Sequence, residues 1–385
     1  MRVVHIITRM IVGGAQENTR FNCLDLVRDF GDDVTLITGP SLGAEGSLLS
    51  KFHDPDLKVI EVPELIRSIR PLVDAKAYRE LKRLIGELRP DVVHTHSAKA
   101  GILGRAAAWK LKIPCVVHTV HGAPFHPYQS WPTRKFYQWS ERWAAKRCHR
   151  LISVADAMTD LMVDAKVADR SKFVTINSGM DVEPFVLADQ SRDEVRRRLG
   201  IESDQIVVGK IARLFHLKGH EYLLAAAQRV VQENPKVRFL LVGDGVLRES
   251  LAKSIESMGL QKSFIFTGLV PPDTIPELLG AMDMLVHVSL REGLARALPQ
   301  ALIAGKPVIS YDIDGAREVV LDGRTGFLLP PKSVDPLGDA ILKLSSDPGL
   351  RRLLGSQGRL LCEERFRHQS MTQHIRSLYQ QVLSG

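Results

Sequence analysis

One rhythm constrains this chain more than any single residue. Short runs rich in β-branched residues alternate with longer helical stretches along its whole length. In the first half the runs are residues 3–7, 34–37, 58–62, 92–94, 115–118, 151–154 and 173–176. In the second they are 206–211, 238–242, 264–266, 284–288 and 307–310. Strands joined by helix-length crossovers lie side by side in parallel, and helices then cover the sheet. At 385 residues the chain is long for one core, so two domains are expected. The break falls near 178–205, where Ser178-Gly179-Met180-Asp181 forms a turn and a charged stretch leads into a fresh strand. The predicted fold is α/β, two Rossmann-like domains with parallel sheets facing a cleft. Their limits are 1–180 and 181–365, followed by a terminal helix over 366–385. That helix places Met371, Ile375, Leu378, Tyr379, Val382 and Leu383 on one face, which must pack on something, back across the domain interface.

The strand ends carry the chemistry. Ile211-Ala212-Arg213-Leu214-Phe215-His216-Leu217-Lys218-Gly219 closes one run with two cations five apart. Ser289-Leu290-Arg291-Glu292-Gly293-Leu294-Ala295-Arg296 closes another with an acid and a turn that opens a helix. Two cations and a free helix N-terminus suit a diphosphate, and the Glu292 carboxylate can hold sugar hydroxyls. Pro299 suits a first helical turn, so the N–H groups of Leu294, Ala295 and Arg296 are expected to face a phosphate. The competing readings are a surface Arg and Lys ahead of a helix, and a capping carboxylate. Gly13 and Gly14 either let the backbone approach a ligand or make a tight turn. Neither they nor Gly243-Asp244-Gly245-Val246-Leu247-Arg248 complete a Gly-x-Gly-x-x-Gly, which disfavours a nicotinamide dehydrogenase. His94 and His96 have the spacing of a metal pair but lack an evident third ligand, so they read as cleft-lining or turn residues.

Charge is unevenly distributed. Residues 99–150 hold ten Lys or Arg against one acid, Glu141, a surplus larger than the +8 of the whole chain. The same window contains all four tryptophans, Trp109, Trp131, Trp139 and Trp143. Basic residues mixed with Trp and Tyr suit an anionic lipid interface. The plainer alternative is a solvated basic helix with an aromatic core face. Nucleic acid is not expected, because no nucleic-acid-binding motif accompanies the charge. The four cysteines are scattered without a CxxC pair, so they read as thiols of a reducing compartment. Residues 2–7 go directly into a strand without a basic leader, and no run of about 18 apolar residues occurs. A cytoplasmic protein, at the inner face of the membrane, is the corresponding expectation.

Taken in order, these motifs resemble those of the family 4 retaining glycosyltransferases, which have the GT-B fold, nearly end to end. Ile211–Gly219 resembles the family's Gly/Ala-Arg-Leu…Lys-Gly motif, Val242-Gly243-Asp244-Gly245 its Val-Gly-x-Gly turn, and Phe266-Thr267-Gly268 its Phe-x-Gly strand end. The segment from Glu292 through Lys306-Pro307-Val308-Ile309 resembles its Glu-x7-Glu region. Gly13-Gly14-Ala15-Gln16 and His118-Thr119-Val120-His121-Gly122 resemble its N-terminal Gly-rich loop and His-Gly strand end. One position departs: the second Glu of the pair is Gln300 here. An amide offers the ribose one acceptor oxygen and an NH2 donor, where a carboxylate offers two acceptors.

The resemblance implies a metal-independent hexosyltransferase. It would take a UDP- or GDP-linked sugar as co-substrate and need no other cofactor. Donor binding would involve Arg213, Lys218, Gly243, Gly293, Leu294, Ala295 and Gln300, and Gly13 and Gly14 would line the site. Glu292 would contact the donor sugar and His121 would lie at the reacting carbon, with Arg213 and Lys218 assisting departure of the diphosphate. Asp312-Ile313-Asp314 has the Asp-x-Asp form that binds metal in the other large glycosyltransferase fold, but the two cations already meet the diphosphate's charge, so no metal ligands are expected. The implied partners are a nucleotide sugar, a lipid-linked saccharide acceptor and an anionic membrane surface, in polysaccharide or glycolipid synthesis. Two alternatives stay open: a sugar-nucleotide epimerase or hydrolase of the same fold, and a non-catalytic membrane or partner-binding module.

Overall fold

A computed structural model describes residues 1–41, 46–51 and 54–385. The chain forms two compact units, Met1–Met180 with Phe366–Gly385, and Asp181–Arg365. The first is built on a 7-stranded parallel sheet: β1 (Arg2–Ile7), β2 (Asp33–Thr38), β3 (Lys58–Glu61), β4 (Val92–His96), β5 (Cys115–Val120), β6 (Arg150–Ser153) and β7 (Phe173–Thr175). Their spatial order is β3-β2-β1-β4-β5-β6-β7. The second has a 6-stranded parallel sheet: β8 (Ile206–Ile211), β9 (Val237–Val242), β10 (Phe264–Gly268), β11 (Met284–His287), β12 (Val308–Tyr311) and β13 (Gly326–Leu329). Its order is β10-β9-β8-β11-β12-β13. In both sheets the order reverses beside the unit's first strand, between β1 and β4 and between β8 and β11. Loops diverge at such a point and leave a crevice at the carboxyl ends of the strands.

The central strands are buried on both faces, which explains their near-continuous apolar character. The helix Ala98–Lys110 lies close on the first sheet because its inner face is small. A Cβ at Gly104 would sit 2.8 Å from Thr95 Cγ2, and one at Gly101 2.5 Å from His118 Cε1. Arg105 on that face is fully buried. Its Nε donates to the Gly101 carbonyl at 2.7 Å and its Nη2 to Glu141 at 2.9 Å. Glu141, the one acid of the basic window, is thereby spent inside the fold.

The helix Trp131–Ala145 buries Ser140, Glu141, Ala144 and Ala145. Its large aromatics face outward: Trp131 is 65% exposed, Phe136 50% and Trp139 61%. The expectation of an aromatic core face is therefore wrong for this helix. The buried Arg105–Glu141 pair demands small, close-packed neighbours and turns the bulky residues to solvent.

The terminal helix His368–Ser384 docks on the helix Gly14–Arg28 of the first unit. Met371, Ile375, Leu378 and Tyr379 are buried, while Leu383 is 37% exposed. Asp25 organises the contact, accepting from Thr372 Oγ1 at 2.8 Å and lying 2.8 Å from His368 Nδ1. Arg376 Nε donates to Asp32 at 2.9 Å. The four cysteines are buried and free. Among the described residues no helix is long and apolar enough to cross a membrane.

Removing one partner of a buried ion pair strands the other charge, at about 3–5 kcal/mol. Glu141→Ala should destabilise the protein by that order in urea unfolding, and Arg105→Met with Glu141→Leu together should recover most of the loss.

Candidate active site

The second unit brings the two cationic and acidic motifs together. Arg213 and Lys218 lie beyond the end of β8 and Glu292 beyond the end of β11, its neighbour at the switch point. The loops are joined directly: Leu290 N donates to the Leu217 carbonyl at 2.8 Å, and Lys218 Nζ forms an ion pair with Glu292 Oε1. Gly219 makes this approach possible. It adopts φ 68, and a Cβ there would lie 1.9 Å from the Val288 carbonyl oxygen. Lys218 is half-buried within the pair, whereas Arg213 is exposed beside the Phe215 ring.

Burial alone would raise the Glu292 carboxyl, but His287 and Lys218 hold it well below the usual carboxylate range. His287 Nε2 lies 3.4 Å from Glu292 Oε1, and burial keeps that imidazole below its ordinary value. A third loop fixes the acid's backbone. Asp314, in a left-handed turn at φ 45, accepts from Glu292 N at 2.6 Å, and Gly315 N donates to the Gly293 carbonyl at 3.0 Å. Asp312 is bound bidentately by Arg317 at 2.8 and 2.9 Å. Both carboxylates of the Asp-x-Asp thus already have partners.

Gly243 follows β9 at φ 131, where a Cβ would meet the Ala212 carbonyl oxygen at 2.2 Å. Its N–H donates to the Gly268 carbonyl at 3.1 Å. The helix after Glu292 runs Ala297–Ile303, so Gly293, Leu294 and Ala295 form the approach to it and Arg296 occupies the cap. Gln300 is half-buried in that helix.

In the first unit, Gly13 caps the helix that Gly14 begins. Gly13 has extended backbone at φ 173, so its use lies in space and not in handedness. His121 follows β5, half-buried, with Nε2 3.1 Å from His96 Nδ1. His96 Nε2 lies in turn 3.0 Å from His5 Nδ1. The ring centroids are 5.4 and 5.2 Å apart, the distance that an N–H···N bond and two ring radii make up. The three imidazoles therefore run edge to edge as a hydrogen-bonded chain. His94 is engaged at both nitrogens, by Tyr379 at 2.5 Å and Thr119 at 2.7 Å.

Two sequence expectations fail here. His94 and His96 do have a third histidine beside them, His5, contributed by the neighbouring strand β1. They are also fully buried strand residues, not turn residues. Their nitrogens are engaged with one another, with Tyr379 and with Thr119. Four further groups around the second-unit site escaped the sequence reading: Lys210, His220, His287 and Ser289 are buried there with polar atoms that have no hydrogen-bond partner. A lysine inside the β-branched run 206–211 was the available signal.

Two family models match the chain: "Glycosyl transferases group 1" over residues 191–361 and "Glycosyl transferase 4-like domain" over 17–179. The UDP-Gal:alpha-D-GlcNAc-diphosphoundecaprenol alpha-1,3-galactosyltransferase of Escherichia coli is 31% identical over 350 residues, 90% of this chain and 88% of the relative. The fold is shared with Anabaena HepE, solved with UDP, at TM-score 0.80 and 23% identity over 99% of this chain and 100% of that one. It is shared as well with sucrose-phosphate synthase of Thermosynechococcus elongatus, at TM-score 0.84 and 19% identity over 100% of both chains. The fold is GT-B, and the protein is a glycosyltransferase. The chain belongs to the group 1 glycosyl transferases of the family 4 type.

The buried histidines give a sign-definite pH dependence. Burial brings His5 down to about 3, and His94, His96 and His118 are lowered by burial first and then by neighbouring charges. Unfolded histidine titrates near 6.5, so below that pH the unfolded chain binds more protons than the folded one. The stabilisation is full above about pH 6.5 and declines as the pH falls towards 3, by about 1.4 kcal/mol per pH unit for each proton. Urea unfolding at pH 5.5 should show at least about 1.4 kcal/mol less stability than at pH 7.5. His5→Phe should narrow the gap.

Proposed function

We propose that this enzyme moves a hexose from a UDP- or GDP-linked donor to a lipid-linked saccharide, retaining the donor's anomeric configuration and using no metal. The observation that carries the reading is the junction of the two motif loops, with Arg213, Lys218 and the Glu292 carboxylate at the ends of adjacent strands. As the glycosidic bond breaks, negative charge develops on the departing diphosphate. Arg213, Lys218 and the N–H groups of Leu294, Ala295 and Arg296 stabilise it there more than in the ground state, which is what lowers the barrier. Glu292, kept ionised by its cationic neighbours, accepts hydrogen bonds from the donor sugar. Gly243 and Gln300 serve the nucleotide, Gln300 through its single amide acceptor and NH2 donor. In the first unit Gly13 and Gly14 admit the ligand's approach, and His121, held by His96, bonds a hydroxyl at the reacting carbon.

Metal independence is supported by the prior engagement of Asp312 and Asp314. A lipid-linked acceptor is supported by the Escherichia coli relative, whose name specifies a diphosphoundecaprenol substrate. The first unit also offers a surface for it. Trp131, Lys135, Trp139, Arg142 and Lys146 recur every three or four residues along one exposed stripe. Beside the stripe is a groove of about 630 Å³ lined by Lys146, Arg150, Lys166 and Lys172, at the amino ends of β6 and β7. Aromatic wedges among cations suit the headgroup layer of an anionic membrane.

Product analysis tests the chemistry. The new bond should keep the donor configuration, and activity should survive a strong chelator. Inversion, or a loss rescued by a divalent ion, contradicts the reading. Turnover without any acceptor would point to an epimerase or hydrolase. In calorimetry Arg213→Ala and Lys218→Ala should each weaken nucleoside diphosphate binding by roughly 1.5–3 kcal/mol.

Vesicle co-sedimentation tests the membrane surface. Lys135→Gln and Lys146→Gln combined with Trp131→Ser and Trp139→Ser should abolish binding to anionic vesicles and leave nucleotide affinity intact. Each cation contributes about 1 kcal/mol near such a surface, and salt should weaken binding of the unaltered protein.

A further inference from the structure

We propose that Lys210 is a proton-binding third cation of the diphosphate site: its amine takes a proton from solvent when an anionic nucleoside diphosphate binds, and returns it when the nucleotide leaves. The inference rests on reading the β8–β11 rim as the nucleotide site. Lys210 lies in β8, opposite Leu241 of β9, and is 1% exposed. Two residues earlier on the same strand face, Val208 belongs to the apolar core with Phe239, Leu241 and Val286. A long charged side chain in that position gains nothing from its own strand. Its Nζ has no hydrogen-bond partner.

The groups that face it come from four elements. Lys218 stands in the loop after β8, and His220 and Glu221 open the helix His220–Glu233. His287 ends β11 and Glu292 follows it. Lys218 and the positive end of the helix both oppose a charge on Lys210. Glu292 and Glu221 favour one, but the Glu292 carboxylate is already shared with Lys218. Burial, followed by Lys218, brings the amine down to about 7, so it is a largely neutral base in mildly alkaline solution. A buried group is charged when an opposite charge arrives close by. A diphosphate bound by Lys218 and the helix end supplies that charge and favours the protonated amine. Proton and nucleotide then bind as coupled ligands, each raising the affinity for the other.

The partnerless atoms around it fit the same account. His220 Nδ1, His287 Nδ1 and Ser289 Oγ are buried without a partner in the same neighbourhood. Buried polar groups are nearly always satisfied, so a concentration of unsatisfied ones marks a place where a polar ligand or its hydration belongs.

Calorimetry of UDP and GDP with the full-length protein at pH 8, in two buffers of widely different ionisation enthalpy, tests this. At that pH the free nucleotide's terminal phosphate is deprotonated, so proton uptake reports on the protein. Binding should take up more than about half a proton, given a free amine near 7. Lys210→Met, which fills the same space without a charge, should bind with no uptake. Nucleotide affinity of the unaltered protein should also fall between pH 7 and 9, by up to about tenfold per pH unit, and that of Lys210→Met should stay flat over the same range. A circular dichroism melt checks that Lys210→Met is folded, and Lys210→Gln is the second variant should it not be. Binding without proton uptake, or uptake that persists in the folded variant, overturns the inference and leaves the nucleotide site standing. Failure of UDP and GDP to bind the unaltered protein at all overturns both.

Discussion

The middle strands of each sheet are bonded along both edges and covered on both faces, and that confinement governs everything polar they carry. A side chain in the middle of β1, β4 or β8 cannot reach water except past an end of its strand. Polar residues placed there must be answered from within or must lie near the rim. His94 is answered by Tyr379 and Thr119. His5 and His96 are answered by each other and, through His121, run out to the rim. Lys210 is not answered at all. The same confinement leaves the charged groups of the two motifs in the loops after β8 and β11, where two backbones come close enough for Leu290 to bond Leu217.

The fold was legible because its signals are repetitive. Twelve apolar runs in the sequence correspond to β1 through β12, with ends displaced by a residue or two. β13 was missed because it opens on Gly326, which reads as a turn. Its glycine is needed for another reason, since a Cβ would lie 1.8 Å from the Val308 carbonyl oxygen. The site motifs were visible as residues, but not their pairing. Nothing in the spacing of Lys218 and Glu292 says that they bind each other. Nor does spacing bring His5 to His96, because that contact depends on β1 and β4 being neighbours across 91 positions. The aromatic face of Trp131–Ala145 was ambiguous for a related reason. Tryptophan fits a core or a wet interface equally well, and the choice was made by Arg105 and Glu141, on two different helices.

Gln300, half-buried in Ala297–Ile303, sets an uncharged amide where the resemblance expects a second carboxylate.

The chain enters and leaves its second unit at one place. Met180 N donates to the Phe366 carbonyl at 2.8 Å, and His368 N to the Met180 carbonyl at 3.2 Å. Asp181–Arg365 is thus an insertion into a host whose final helix is spoken last. The first unit is therefore closed by residues that follow the second: Thr372 bonds Asp25 across 347 positions, and Tyr379 meets His94 across 285. A chain cut before residue 368 would keep every residue of Asp181–Arg365 and take these partners away from Met1–Met180.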